Sequence, residues 1–141
     1  MLDDESTSVF VHNDIHFENV FIDQGKLVGI IDFDRWSKAP PHYELSKFLD
    51  FVQTPSWYVE DRLESKYKNS LVDAAVWLKK YYPNLFVSPY LTDKVRLYFV
   101  DTVVWLLRGY NKGKWRKSVI NEIQQKFKIL FQTDWLEQIL Q

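Results

Sequence analysis

The hydrophobic pattern of this chain changes its period once, and that change limits the fold more than any other feature of the sequence. Before residue 35, apolar residues form short β-prone runs at 9–11, 20–22 and 27–31. From Tyr43 onward they recur at three- and four-residue steps, as on one face of an amphipathic helix. Strands first and helices after predict an α+β fold rather than a parallel α/β sheet.

The clearest local prediction is a β-hairpin. The runs 20–22 and 27–31 are separated by residues 23–26, Asp-Gln-Gly-Lys, a composition typical of a tight turn. Two β-prone runs around such a turn predict an antiparallel hairpin over 20–31. Residues 38–41, which end in two prolines, are expected to break any regular structure.

The spacing beyond the prolines predicts four to six helices. The first holds Leu45, Phe48, Leu49 and Val52 at three- and four-residue steps and stops before Pro55. A second helix is expected to have Ser56 as its N-cap and to include Trp57, Tyr58 and Leu63, and a third is expected over 71–82, ending at Pro83. A fourth is expected to be capped by Thr92, with a buried stripe from Val95 to Leu107 and a break at 109–113. A last helix is expected over 119–130, followed by a terminal turn at Trp135 and Leu136.

Composition indicates one soluble domain over 1–141, with a polar leader (1–8), a hairpin unit (9–34) and a helical subdomain (43–141). Apolar residues make up 46%, which argues against disorder, and the net charge of -1 argues against nucleic-acid or membrane binding driven by charge. The absence of cysteine excludes disulfides and thiolate metal sites. With an acidic N-terminus and no apolar run of about 20 residues, a cytoplasmic protein is expected.

Polar residues concentrate between the β-prone runs. Asp14 precedes Asn19 by five residues, and Asp32 lies across the hairpin from Asn19. Folding the hairpin therefore places Asn19 and Asp32 at its open end, within reach of one ion. An amide oxygen and a carboxylate suit Mg²⁺, and Asp14 is free to accept a proton from a substrate hydroxyl. A base and metal ligands are the parts that phosphoryl transfer requires.

The motif around these residues has a familiar order. Residues 12–19 read His-Asn-Asp-Ile-His-Phe-Glu-Asn, and residues 31–34 read Ile-Asp-Phe-Asp. The spacing matches the kinase pattern His-Arg-Asp, four residues, Asn and then Asp-Phe-Gly. The loop resembles that of the aminoglycoside phosphotransferase family, with its choline, homoserine and macrolide kinase relatives, which usually reads His-Gly-Asp-Leu-His-Pro-Gly-Asn. The second histidine, His16, favours this family over protein kinases.

The resemblance implies the C-terminal lobe of a protein-kinase-like fold that moves the γ-phosphate of ATP, or GTP, to a hydroxyl of a small molecule. By resemblance, Asp14 is the catalytic base, and Asn19 and Asp32 bind Mg²⁺. His12 and His16 support the loop, whereas Asp34 either contacts metal or substrate or caps a turn. The chain departs from the family pattern at Asn13 for Gly, at Phe17-Glu18 for Pro-Gly, and at Glu44-Leu45 for Asp-Leu.

The nucleotide-binding half of such an enzyme is expected to be absent. No Gly-rich loop and no Val-Ala-Ile-Lys-like strand precedes His12, so weak ATP binding and slow turnover are expected. The chain is then a truncated kinase, or a short protein completed by a partner lobe or a second copy in a homodimer. It is alternatively a non-catalytic remnant that binds a ligand or partner through the exposed inter-lobe face.

Two further questions stay open at this level. A metal-dependent hydrolase that uses His12, Asp14, His16 and Asp32 is an alternative from another class. The acceptor is not identified by the sequence. The aromatic residues that could line its pocket or form the core are Trp36, Trp57, Tyr58, Trp105 and Trp115. The acidic residues that could bind a cationic acceptor are Glu60, Asp61, Glu64 and Asp101.

Overall fold

A computed structural model describes residues 8–55, 71, 73–111 and 118–141 of the chain. It is a mixed α+β structure with two small antiparallel sheets followed by helices, which confirms the predicted class. The elements are β1 Val9–Val11, β2 Val20–Asp23, β3 Lys26–Ile30, β4 Ser37–Ala39, α1 Pro41–Gln53, α2 over 73–81, α3 Leu91–Asn111, α4 Ser118–Leu130 and α5 Trp135–Ile139, with 3₁₀ turns at Phe17–Asn19, Phe33–Arg35 and Pro83–Phe86. The helix predicted after Ser56 lies outside the described residues.

The predicted hairpin is confirmed. Strands β2 and β3 pair antiparallel from Val20 opposite Ile30 to Asp23 opposite Lys26. Gln24 and Gly25 both have positive φ angles, 47° and 75°, as a two-residue turn that follows the twist of the strands requires. The turn sets the register as far as Ile22 opposite Leu27, and a one-residue shift between Phe21 and Ile22 then brings residues 19 and 31 together at the open end.

The expected break at residues 38–41 is wrong in its first half. Ser37–Ala39 form β4, which pairs antiparallel with β1 from Val9 opposite Ala39 to Val11 opposite Ser37. The prolines act just beyond this strand. Pro40 has no N–H to extend the pairing, and Pro41 occupies the first turn of α1, where a missing N–H costs nothing. Helix α1 consequently begins two residues before Tyr43.

The helices share one hydrophobic core, which lies mainly between α1 and α3. Helices α1 to α5 supply it, and its buried members are Leu45, Leu49, Ala75, Leu91, Val95, Phe99, Val103, Leu106, Ile123, Leu130, Trp135 and Leu136. Leu107, which was predicted to belong to the buried stripe of α3, is exposed. Two boundaries of α3 were predicted wrongly. The helix begins at Leu91, so Thr92 lies inside its first turn, and it continues through Gly109 to Asn111. Burial of the Leu91 side chain against the core outweighs the capping preference of Thr92.

The hairpin contrasts with this core, because its apolar side chains are open to solvent. A two-stranded sheet can bury its faces only against another layer, and the described part of the chain leaves both faces largely uncovered. We call the four residues that are 50–63% exposed the hairpin face: Phe21, Ile22, Leu27 and Val28.

None of the helices in the described ranges is long and apolar enough to cross a membrane.

Candidate active site

The polar loop, residues 12–19, is held by the first turn of α1. The Oε2 atom of Glu44 accepts hydrogen bonds from the backbone N–H groups of His12 and Asn13, the latter at 3.1 Å. Asn13 has a φ of 67°, in the left-handed region that Gly occupies freely and Asn tolerates. Its side-chain amide donates to the backbone carbonyl of Arg35 and, at 2.9 Å, to Ser37 Oγ. The departure from Gly at position 13 is therefore compatible with the loop, and it adds contacts.

His12 joins the polar loop to the end of the hairpin. Its imidazole is buried, and Nε2 lies 2.8 Å from the backbone carbonyl oxygen of Ile31. Because a carbonyl oxygen can only accept, Nε2 carries the proton and donates it. The ring also packs against Phe33, with 4.6 Å between ring centroids. His12 thus fixes the residue that precedes Asp32, which is a supporting role.

The amide of Asn19 is fixed in orientation. Its Nδ2 atom donates to the backbone carbonyl of Asp14 at 2.9 Å and lies 3.2 Å from His16 Nε2, so both N–H groups are in use. His16 accepts one of them, and so holds Asn19. Within the described ranges, no hydrogen bond involves Asn19 Oδ1. The side chain is buried, yet it keeps one oxygen available as a ligand.

Asp32 lies at the same end of the hairpin as Asn19. The N–H of Ile31 donates to the backbone carbonyl of Asn19 at 3.0 Å, one step beyond the Val20–Ile30 pair. Asp32 has a φ of 63°, a left-handed conformation that costs a non-glycine residue about 1 kcal/mol. Its carboxylate is exposed and makes no capping hydrogen bond to the 3₁₀ turn that follows. Asp34, in that turn, is also exposed.

The partner of Asp14 is a residue that the sequence did not single out. The Nη1 atom of Arg35 lies 3.5 Å from Asp14 Oδ2, and the two side chains are 54% and 15% exposed, respectively. The Arg35 guanidinium also lies over the indole of Trp105 on α3, 4.9 Å from the ring centroid. Only tertiary structure brings residues 14, 35 and 105 together, so no local signal could have identified Arg35.

A second polar cluster connects α1 and α3. The Tyr43 hydroxyl donates to Asp101 Oδ2 at 2.6 Å, and the Lys47 ammonium donates to the Thr102 hydroxyl. Burial, followed by the hydrogen bond with Asp101, raises the pKa of Tyr43 above its usual value. Burial lowers the pKa of Lys47, against an opposing effect of the Asp101 carboxylate. Asp101, a candidate for binding a cationic acceptor, therefore already has a partner.

Of the other residues that are candidates for binding the acceptor, two are exposed and the rest lie outside the described part of the chain. Trp36 and Trp105 are exposed rather than part of the core. The remaining candidates lie outside the described residues, namely Trp57, Tyr58, Trp115, Glu60, Asp61 and Glu64.

The four residues of the hydrolase alternative do not form a metal-binding cluster. In the part of the chain that the structure describes, no three His, Asp or Glu side chains are grouped so that they could hold a metal ion. His12 is directed to the Ile31 carbonyl and His16 to Asn19. Asn19 instead lies beside Ile31, the residue that precedes Asp32, at the open end of the hairpin.

Comparison with known families relates this part of the chain to phosphotransferases. The model of the phosphotransferase enzyme family matches residues 1–69, which include the polar loop, the hairpin and α1. Residues 1–69 are therefore similar to the phosphotransferase enzyme family, which agrees with the aminoglycoside phosphotransferase and choline kinase-like resemblance of the motifs. No curated protein and no solved structure matches the chain significantly.

Proposed function

We propose that this chain carries the base and the metal ligands of a small-molecule kinase, within the C-terminal lobe of a kinase-like fold. The reaction moves the γ-phosphate of ATP, or GTP, to a hydroxyl of a small acceptor. One observation carries the proposal. The amide of Asn19 is fixed by two hydrogen bonds with its oxygen left over, on the loop of Asp14 and at the hairpin end that bears Asp32.

The donor atoms fit a magnesium ion. Mg²⁺ takes oxygen ligands and keeps several positions for water and phosphate. Asn19 Oδ1 and the exposed carboxylate of Asp32 would hold it, and Asp34 is a further carboxylate two residues away. When bound, the ion would screen the charges of the donor phosphates.

Asp14 performs the proton transfer in this proposal. Its carboxylate accepts the hydroxyl proton as the acceptor oxygen forms a bond to the γ-phosphorus. The bond between that phosphorus and the oxygen bridging to the β-phosphate breaks, and the nucleoside diphosphate leaves with the bond electrons. Positioning supplies most of the rate in such reactions. Glu44 and His12 provide it here, because they fix the loop to α1 and to the hairpin.

A nucleotide titration by calorimetry tests the proposal. We expect ATP to bind the full chain only with Mg²⁺, and Asp32→Ala to abolish this binding. Asp93→Ala on α3 is the matched control, because it removes an exposed carboxylate far along the chain from the hairpin. Absence of binding at millimolar ATP would exclude catalysis by this chain alone.

A second candidate is a binding module that associates through the apolar surface of its N-terminal half. The hairpin face is exposed, and Phe10 and Trp36 stack with 5.6 Å between ring centroids while both remain exposed. Such a surface is typical of an interface, here with a second copy or with a separate lobe. Sedimentation velocity over a range of concentrations should show self-association that Phe21→Lys weakens. A constant monomer mass would contradict the homodimer.

A further inference from the structure

The guanidinium of Arg35 is an exposed charged group in contact with Asp14, the proposed base. It uses Nη1 in the 3.5 Å contact with Asp14, while an arginine presents five N–H donors. No other ion pair of Arg35 is present within the described ranges. More than half of its side chain is open to solvent, whereas Asp14 is mostly covered. Arg35 therefore has donors available to a molecule that approaches Asp14.

The orientation of Arg35 is fixed at both ends. Its backbone carbonyl accepts the amide hydrogen bond of Asn13, and its guanidinium lies over Trp105. A cation held over an indole loses little further freedom when it binds a ligand. Trp105 lies in α3, beyond the family match at 1–69, so the helical half of the chain contributes to this site.

A second positive charge lies near Arg35. Burial, and to a lesser degree the Arg35 guanidinium, lowers the pKa of Lys47 on α1. The carboxylate of Asp101 is occupied by the Tyr43 hydroxyl. A cationic acceptor at Asp14 would be repelled by the Arg35 guanidinium, which lies 3.5 Å from that carboxylate.

We infer that Arg35, held by Trp105 beside Asp14, selects acceptors that carry a carboxylate or phosphate next to the reacting hydroxyl. The inference rests on the proposed function, because it concerns the acceptor that Asp14 deprotonates. A hydroxyl within hydrogen-bond reach of Asp14 brings neighbouring atoms of the acceptor close to the guanidinium. Arginine binds carboxylate and phosphate through paired N–H groups, which gives it preference for such anions over neutral groups.

Binding measured without nucleotide tests this inference separately from phosphoryl transfer. The probes are glycerol, glycerate, glycerol 3-phosphate and choline, titrated into the full chain and followed by calorimetry. We expect the two anions to bind about ten- to a hundredfold more tightly than glycerol, as hydrogen bonds to a charged group allow. Choline should bind more weakly than glycerol. The tighter of the two anions identifies the headgroup.

Three variants locate the effect. Arg35→Gln should reduce the affinity for both anions to that for glycerol, and Arg35→Lys should retain part of the preference. Asp14→Asn should leave anion binding equal or tighter, because Arg35 no longer shares its charge with a carboxylate. Lys128→Gln on α4 removes an exposed positive charge elsewhere and should preserve the preference.

Two results would overturn the inference. The first is that the wild type binds the anions no more tightly than it binds glycerol, or binds none of the probes measurably. The other is an anion preference that survives in Arg35→Gln or that Asp14→Asn weakens. Anion preference without Mg²⁺-dependent ATP binding would instead support this inference and exclude catalysis by this chain alone.

Discussion

The buried ion pair between α1 and α4 offers a quantitative test of how the helical half is held together. The Lys126 ammonium donates to Asp50 Oδ1, and their side chains are only 6% and 2% exposed. We expect Lys126→Met to destabilise the protein strongly, although methionine is more hydrophobic than lysine. The variant removes the cation that pairs with the buried Asp50 carboxylate.

The size of the effect follows from this burial. Removing one partner of a buried pair costs about 3–5 kcal/mol, because the remaining charge has lost its compensation. One contact that remains in the variant reduces the loss, because the Thr54 hydroxyl lies 3.4 Å from Asp50 Oδ1. We therefore expect about 3 kcal/mol, at the lower end of that range.

Urea unfolding followed by tryptophan fluorescence measures this loss, since Trp135 is buried in the same core. Lys128→Met is the matched control, because Lys128 is exposed on the same helix, and it should change the free energy of unfolding by less than about 0.5 kcal/mol. The double variant Asp50→Leu/Lys126→Met should recover most of the stability. A loss below about 1 kcal/mol in Lys126→Met would refute the reasoning.

Three other perturbations test the site and its surroundings. Glu44→Ala removes the acceptor of two backbone N–H groups and should lower the free energy of unfolding by about 2–4 kcal/mol. Faster hydrogen exchange of the Asn13 backbone N–H is the direct measure, and unchanged exchange would contradict the role of Glu44 in holding the loop. Asn13→Val should destabilise the protein by about 1–2 kcal/mol because of the positive φ at this position, whereas Asn13→Gly should lose less stability. Thermal unfolding compares the two variants, and equal losses of stability would argue against the left-handed conformation. The raised pKa of Tyr43 favours the protonated phenol in the folded state, so its contribution is complete below about pH 10 and declines as pH rises further. Denaturation at pH 9 and pH 11 should therefore show a smaller loss in Tyr43→Phe than in the wild type, and equal losses would contradict the assignment.

The parts of the fold that sequence could predict are those with local causes. The turn at Gln24-Gly25 closes the hairpin, so the placement of Asn19 and Asp32 at one end followed from residues close in sequence, although the one-residue shift between Phe21 and Ile22 was not predicted. Strand β4 was not predictable in this way, because its partner β1 lies far earlier in the chain. The prolines beside it masked a strand that only long-range pairing stabilises.

The site shows the same division. The polar loop and Asp32 were identified from their spacing, whereas Arg35 acquires its place from a loop and a helix on either side of it in the sequence. The start of α3 was misplaced for a related reason. Thr92 is a good capping residue locally, but the burial of Leu91 is decided by the packing of the whole helical core.

The hydrogen bond from His12 to the Ile31 carbonyl has a thermodynamic consequence. It joins the loop that carries Asp14 to the strand end that carries Asp32, so these two segments cannot shift independently. If a cation at Asp32 displaces the hairpin end, the displacement reaches the loop, and the affinity for an acceptor at Asp14 changes. Linkage then requires the acceptor to change the affinity for the cation by the same factor. Together with the hydrogen bonds that join Asn19 to Asp14 and Ile31, the imidazole would then couple occupancy of the two positions.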